Sequence, residues 1–134
     1  MPAAFQFELV SPEKLILSKP VAMVTVPGGE GDYGVLAGHA PLITTVRAGV
    51  IEVYEQSDSA VTERVFVAGG FAEVTNDRCT VLAEEAVPVA ELDRAVLEEQ
   101  AKNLADDFSA AKSDAERAVF DAQLATVKAK LRAI

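Results

Sequence analysis

The chain has 134 residues, half of them apolar, and sets 12 Lys and Arg against 21 Asp and Glu for a net charge of −9. That length accommodates one domain, or a small domain with an appendage, and the charge leaves no phosphate-neutralising surface for nucleic acid at the level of the whole chain. A single cysteine, Cys79, and a single histidine, His39, exclude an intrachain disulfide framework and any zinc site built on several cysteines or histidines.

The first element is an alternating strand, with Phe5, Phe7 and Leu9 separated by Gln6 and Glu8. The preceding residues lack the basic start and apolar run of a secretory signal. No later stretch approaches the roughly 20 apolar residues of a membrane-spanning helix. Membrane association is therefore expected only indirectly, through partners.

Between Gly28 and Gly49 the sequence reads GGEGDYGVLAGHAPLITTVRAG, with six glycines, the histidine and a proline. Glycine is the default residue for positive φ and for close backbone approach, so this run reads as a tightly turned region. Tyr33, Val35 and Leu36 are too few for a long strand, whereas Leu42 to Val46 has the β-branched content of one. Pro41 forces Ala40 out of the helical region. Neither a phosphate loop nor a nucleophile elbow fits: no Gly-Lys-Ser/Thr follows the glycines, and no serine sits between them.

Further β-rich runs cover Val50 to Tyr54 and Val61 to Val67, and Asn76-Asp77 marks a hairpin turn. Many short strands with frequent turns predict a sandwich or barrel. After Val87-Pro88 glycine disappears and the period becomes helical, which places a boundary between residues 1–87 and 88–134. Leu97, Ala101, Leu104 and Phe108 predict a first helix from about Glu91 to Ala110. Ser113-Asp114-Ala115-Glu116 is a capping box that opens a second helix running to the C-terminus.

That second helix has two apolar stripes. Phe120, Leu124, Val127, Leu131 and Ile134 line one face, and alanines at 115, 118, 122, 125, 129 and 133 line the opposite one. Its last turns carry Lys128, Lys130 and Arg132 and no acidic residue from Ala122 onward. Such cations complement the helix dipole, and they also suit docking against an acidic surface.

Gly-Asp-Tyr-Gly-Val-Leu-Ala-Gly-His-Ala-Pro-Leu resembles the signature of the epsilon subunit family of F-type ATP synthases, the mitochondrial delta family. The resemblance continues in Leu9-Val10-Ser11-Pro12-Glu13, in Val67-Ala68-Gly69-Gly70-Phe71-Ala72-Glu73-Val74 and in Thr80-Val81-Leu82-Ala83-Glu84, and so spans nearly the whole sequence in order. It implies a flattened β-sandwich of about ten strands followed by an antiparallel two-helix hairpin. It also implies a non-catalytic central-stalk subunit, with no cofactor, at the cytoplasmic face of the bacterial inner membrane. The implied partners are the gamma subunit, the c-ring and, transiently, the alpha/beta catalytic head, and the hairpin is implied to regulate ATP hydrolysis.

The resemblance places Ser11, Gly38, His39, Ala40, Pro41 and Leu42 at the gamma interface. Glu30, Gly31 and Asp32 are implied to face the c-ring, and Lys128, Lys130 and Arg132 the head. Some relatives bind ATP between the helices through a Leu-Asp-x-x-Arg-Ala pattern. Here Leu92-Asp93 is kept, but Val96-Leu97 stands where Arg-Ala would fall, so weak or absent ATP binding is expected. Two other classes compete with this reading. A stand-alone β-sandwich module would show a concave apolar pocket, and a small hydrolase would use His39 with Asp32.

Overall fold

The fold was obtained as a computed structural model that describes residues 3–134. Eight strands come first: β1 (Phe5–Val10), β2 (Leu15–Val21), β3 (Met23–Gly28), β4 (Gly31–Leu36), β5 (Leu42–Thr45), β6 (Gly49–Tyr54), β7 (Glu63–Val74) and β8 (Arg78–Pro88). A short 3₁₀ turn at Val89–Glu91 precedes helices α1 (Arg94–Ala110) and α2 (Asp114–Ala133). The protein divides into two compact units, the first ending at Ala90 and the second spanning Glu91–Ile134.

The strands hydrogen-bond in the order β2-β1-β8-β7-β6-β3-β4, with β5 on β7. All pairings are antiparallel except β1 with β8, which joins the start of the sandwich to its end through Phe7 opposite Cys79 and Leu9 opposite Val81. A bridge between Gly28 and Val46 ties the end of β3 to the end of β5, so β3, β6, β7 and β5 form a closed circuit around the core.

The resemblance implied about ten strands, and eight continuous ones are present because two of them are long. Residues 63–67 of β7 pair with β6, whereas residues 71–74 pair with β5. Likewise, β8 pairs with β1 only over residues 78–82. The change of partner in β7 occurs at Gly69-Gly70, where φ is 70° and 111° and the ladder with β8 is interrupted at Gly69 while its register is the same on either side. A Cβ on Gly70 would run into the carbonyl oxygen of Leu82, so only glycine permits this bend.

Period-two alternation sets which residues face inward. Phe7, Leu9, Val24, Val26, Ile51, Val53, Val67, Val74 and Val81 are fully enclosed, and no polar or charged residue joins them among the described residues. The edge strand β2 is fastened by Lys19, whose Nζ lies 2.5 Å from Glu63 and 3.3 Å from Glu55.

Helix α1 starts three residues later than the periodicity predicts. Asp93 is its N-cap, with Oδ1 accepting from the amide of Val96 at 3.2 Å, and Val89–Glu91 forms the separate 3₁₀ turn. The predicted capping box is present on α2: Ser113 Oγ accepts from the amide of Glu116 at 3.1 Å. Glu116 reaches back to the amide of Lys112, one residue beyond the cap. Within the hairpin Leu97 and Val127 are buried, while Ala115, Ala118, Ala122 and Ala125 on the opposite face of α2 are exposed; farther along the same stripe Ala129 is buried and Ala133 half-buried.

Candidate functional site

The glycine-rich run forms a β-hairpin and a loop. β3 and β4 pair from Met23 opposite Leu36 to Gly28 opposite Gly31, leaving Gly29-Glu30 as the tip. The strand β4, which the few apolar residues of the run did not predict, exists because β3 supplies its backbone partners. Gly31, with φ of 141°, completes the turn. Glu30, Gly31 and Asp32 are all exposed at this tip.

Asp32 is not an isolated carboxylate. Arg47 Nη2 lies 2.5 Å from its Oδ1, Arg47 Nη1 reaches the Gly28 carbonyl at 3.4 Å, and the Arg47 amide donates to the Pro27 carbonyl at 2.9 Å. Beside this clasp is a cleft of about 550 Å³ between the tip and β5. Inside it the hydroxyls of Tyr33 and Thr44 lie 2.6 Å apart. Burial pushes the Tyr33 phenol above its usual range.

The Gly38 to Leu42 loop is anchored at both ends. Gly38 takes a φ of 83° and donates its amide to the carbonyl of Asn76 in the β7–β8 turn at 2.7 Å. His39 donates its amide to Leu36 O at 3.1 Å and its Nδ1–H to Ala40 O at 2.6 Å. That bond turns the imidazole toward the backbone of the loop and occupies its Nδ1. Ala40 and Pro41 are exposed, whereas Leu42 packs partly against the core. The next residue, Ile43, points outward and is 70% exposed.

Ile43 stands beside a row that sequence patterning did not reveal. Thr45 pairs with Phe71, Phe71 with Leu82, Leu82 with Val10, and Val10 with Leu15. Paired residues share a face, so these five form one line across β5, β7, β8, β1 and β2 on the outer surface. Phe71, Leu82 and Leu15 are all exposed, at 46%, 40% and 55%. Ser11 follows Val10 of this line, in a cleft of about 430 Å³ shared with Phe71 and Leu82. A trace of the row was present in the sequence: Val81-Leu82-Ala83 is apolar three times in succession, and a strand can turn only alternate residues inward.

Nothing in this surface is built for bond-making. Cys79 is buried and its thiol is pushed up to about 12 by desolvation, which removes it as a nucleophile near neutral pH. Among the described residues no group of three or more metal-ligating side chains comes together. Among the described residues no helix is long and apolar enough to cross a membrane.

In the second unit Asp93 caps α1, and Arg94 donates from Nη2 to the Ile134 carbonyl at 2.8 Å, joining the two ends of the hairpin. Lys128 and Arg132 are exposed and Lys130 is half-buried, all in the final turns of α2.

Residues 4–89 match the family described as ATP synthase, Delta/Epsilon chain, beta-sandwich domain, and residues 93–134 match the C-terminal domain of the ATP synthase epsilon chain. Over 129 residues the protein is 57% identical to the ATP synthase epsilon chain of Rhodospirillum centenum, covering 94% of this chain and 88% of that protein. It is 54% identical to that of Paramagnetospirillum magneticum, covering 88% and 87%. Among solved structures it is similar to a chain of the Euglena gracilis mitochondrial ATP synthase OSCP/F1/c-ring assembly, with a TM-score of 0.82 at 27% identity, covering 96% of this chain and 80% of that one. With both units matched in order and an outer surface suited to contact rather than chemistry, the chain belongs to the family of ATP synthase epsilon chains, the non-catalytic subunits of that rotary enzyme.

Proposed function

We propose that this protein is the central-stalk subunit that couples rotation of the c-ring and the gamma subunit to ATP synthesis in a proton-translocating ATP synthase. In this reading it is a peripheral component at the cytoplasmic face of the bacterial inner membrane. The observation that carries it is the apolar row Phe71, Leu82, Val10 and Leu15, with Ile43 alongside, on the outer face of a sandwich that already has a complete core. An apolar line of this length on an outer surface marks a partner site.

Gamma is assigned to this face, with Ser11 and the Gly38 to Leu42 loop at its margins. The Glu30-Gly31-Asp32 tip is assigned to the polar loops of the c-ring. Residues 1–87 form the docking domain and residues 88–134 the regulatory one, whose Lys128, Lys130 and Arg132 meet acidic segments of the catalytic head. Such regulation requires two packings of similar free energy, and the exposed alanines of the first turns of α2, Ala115, Ala118, Ala122 and Ala125, are compatible with a second one.

Phe71→Glu tests the docking face, because it places a charge in the middle of the row without touching the core. Co-purification with gamma should be lost while the melting temperature is kept; retained co-purification would overturn the assignment. Deletion after Val87 tests the hairpin: assembly and coupling should persist while the rate of ATP hydrolysis changes. An unchanged rate would remove the regulatory role.

A further inference from the structure

The two carboxylates of the hairpin tip differ in their surroundings. Asp32 is held by Arg47, which also reaches the Gly28 carbonyl, so one guanidinium spans both strands of the β3–β4 hairpin where it turns. Arg47 itself is positioned by the hydrogen bond its amide donates to Pro27 O and by the Gly28–Val46 bridge beside it. Glu30, two residues from Asp32 at the exposed apex, has no ion-pair or hydrogen-bond partner among the described residues. The clasp thus neutralises one carboxylate and leaves the other as the tip's unpaired charge.

From this geometry we infer that Arg47 is a positioning residue for docking: it sets the shape of the tip and pairs with Asp32, so that Glu30 presents the carboxylate to a basic loop of the ring. The inference rests on the assignment of the tip to the ring given above. Arg47 and Asp32 side chains are 45% and 70% exposed. A pair that open to water contributes little to folding. Once a partner covers the tip, water no longer screens the pair. Removing Arg47 would then leave Asp32 as a desolvated charge without its partner, a loss felt on docking and not on folding.

The test is titration of the full-length protein onto ATP synthase complexes stripped of this subunit, reading the concentration that half-restores ATP-driven proton pumping. Arg47→Ala should raise that concentration roughly tenfold without lowering the melting temperature. The swapped pair Asp32→Arg with Arg47→Asp should recover most of the loss, which a purely steric role for Arg47 would not allow. Glu30→Lys should weaken docking more than Asp32→Asn, and its effect should shrink as salt is raised.

An Arg47→Ala variant that titrates like the parent, or a swap no better than the single change, would overturn the clasp. So would Asp32→Asn being worse than Glu30→Lys, since Asp32 would then meet the partner directly. If Glu30→Lys, Asp32→Asn and Arg47→Ala all titrate like the parent, the assignment of the tip to the ring fails instead.

Discussion

The sandwich and the helical hairpin solve the stability problem in different ways, and the contrast bears on the different roles proposed for them. In the sandwich, nearly every strand turns fully enclosed valines, phenylalanines or leucines into one core, and strands distant in sequence are joined, as β1 is to β8. In the hairpin the only buried residues are Leu97, Val127 and Ala129, and the rest of its order comes from the half-buried Leu104, Phe120, Leu124 and Leu131, from caps, and from Arg94 and Arg117 at its two ends. Each fully buried apolar side chain stabilises by about 1.5–3 kcal/mol, and each cap by about 1 kcal/mol. A rigid body that passes force through contact needs the first kind of construction. An element that changes its packing needs the second.

The largest effect that would sharpen this contrast is expected from Gly70→Ala. Its positive φ and the Leu82 carbonyl leave no room for a methyl group, so straightening the bend should cost about 4 kcal/mol or more. Thermal unfolding followed by near-ultraviolet circular dichroism checks this; a shift of only a degree or two would mean that β7 bends for another reason.

Leu97→Ala should cost about 2–3 kcal/mol by removing a large buried side chain of α1. The loss should fall on the hairpin, with amide hydrogen exchange accelerated about thirtyfold or more in α1 and α2 and unchanged in β1 and β8. Equal acceleration in both units would break the contrast.

Ser113→Ala should have the smallest effect, about 1 kcal/mol, by freeing the amide of Glu116. Exchange should quicken in the first turn of α2 and nowhere else. Ser113→Asp should restore protection, because the aspartate oxygen accepts from the same amide.

The same contrast explains what could be read in advance. The signals of the hairpin are local: Ser113 and Glu116 are three residues apart, and the stripe Leu97, Ala101, Leu104 lies on successive turns. Both helices were therefore legible, and the start of α1 differed only because Asp93 competes as a cap inside the predicted span. In the sandwich the strand runs and the Asn76-Asp77 turn were legible, but β4 was not, because Tyr33, Val35 and Leu36 become a strand only when β3 lies beside them. At the candidate site the tip and the His39 loop were singled out by their glycines. Arg47 and the Phe71–Leu82 row were not, since each depends on a partner brought from elsewhere in the sequence.

Composition and periodicity determined by themselves that many short strands are followed by two helices, a pattern of a sandwich or barrel with an appended hairpin, and the motif wording pointed to the sandwich and to the family. Those properties follow from residue type and short-range spacing, which act within a turn or a strand. Only the tertiary structure decided that two long strands change partners in mid-course, that Asp32 is held by Arg47 while Glu30 is not, and that Ile43, Phe71 and Leu82 point outward. Each of these is set by strand pairing across a large sequence separation, where the face a side chain occupies depends on register rather than on its own chemistry.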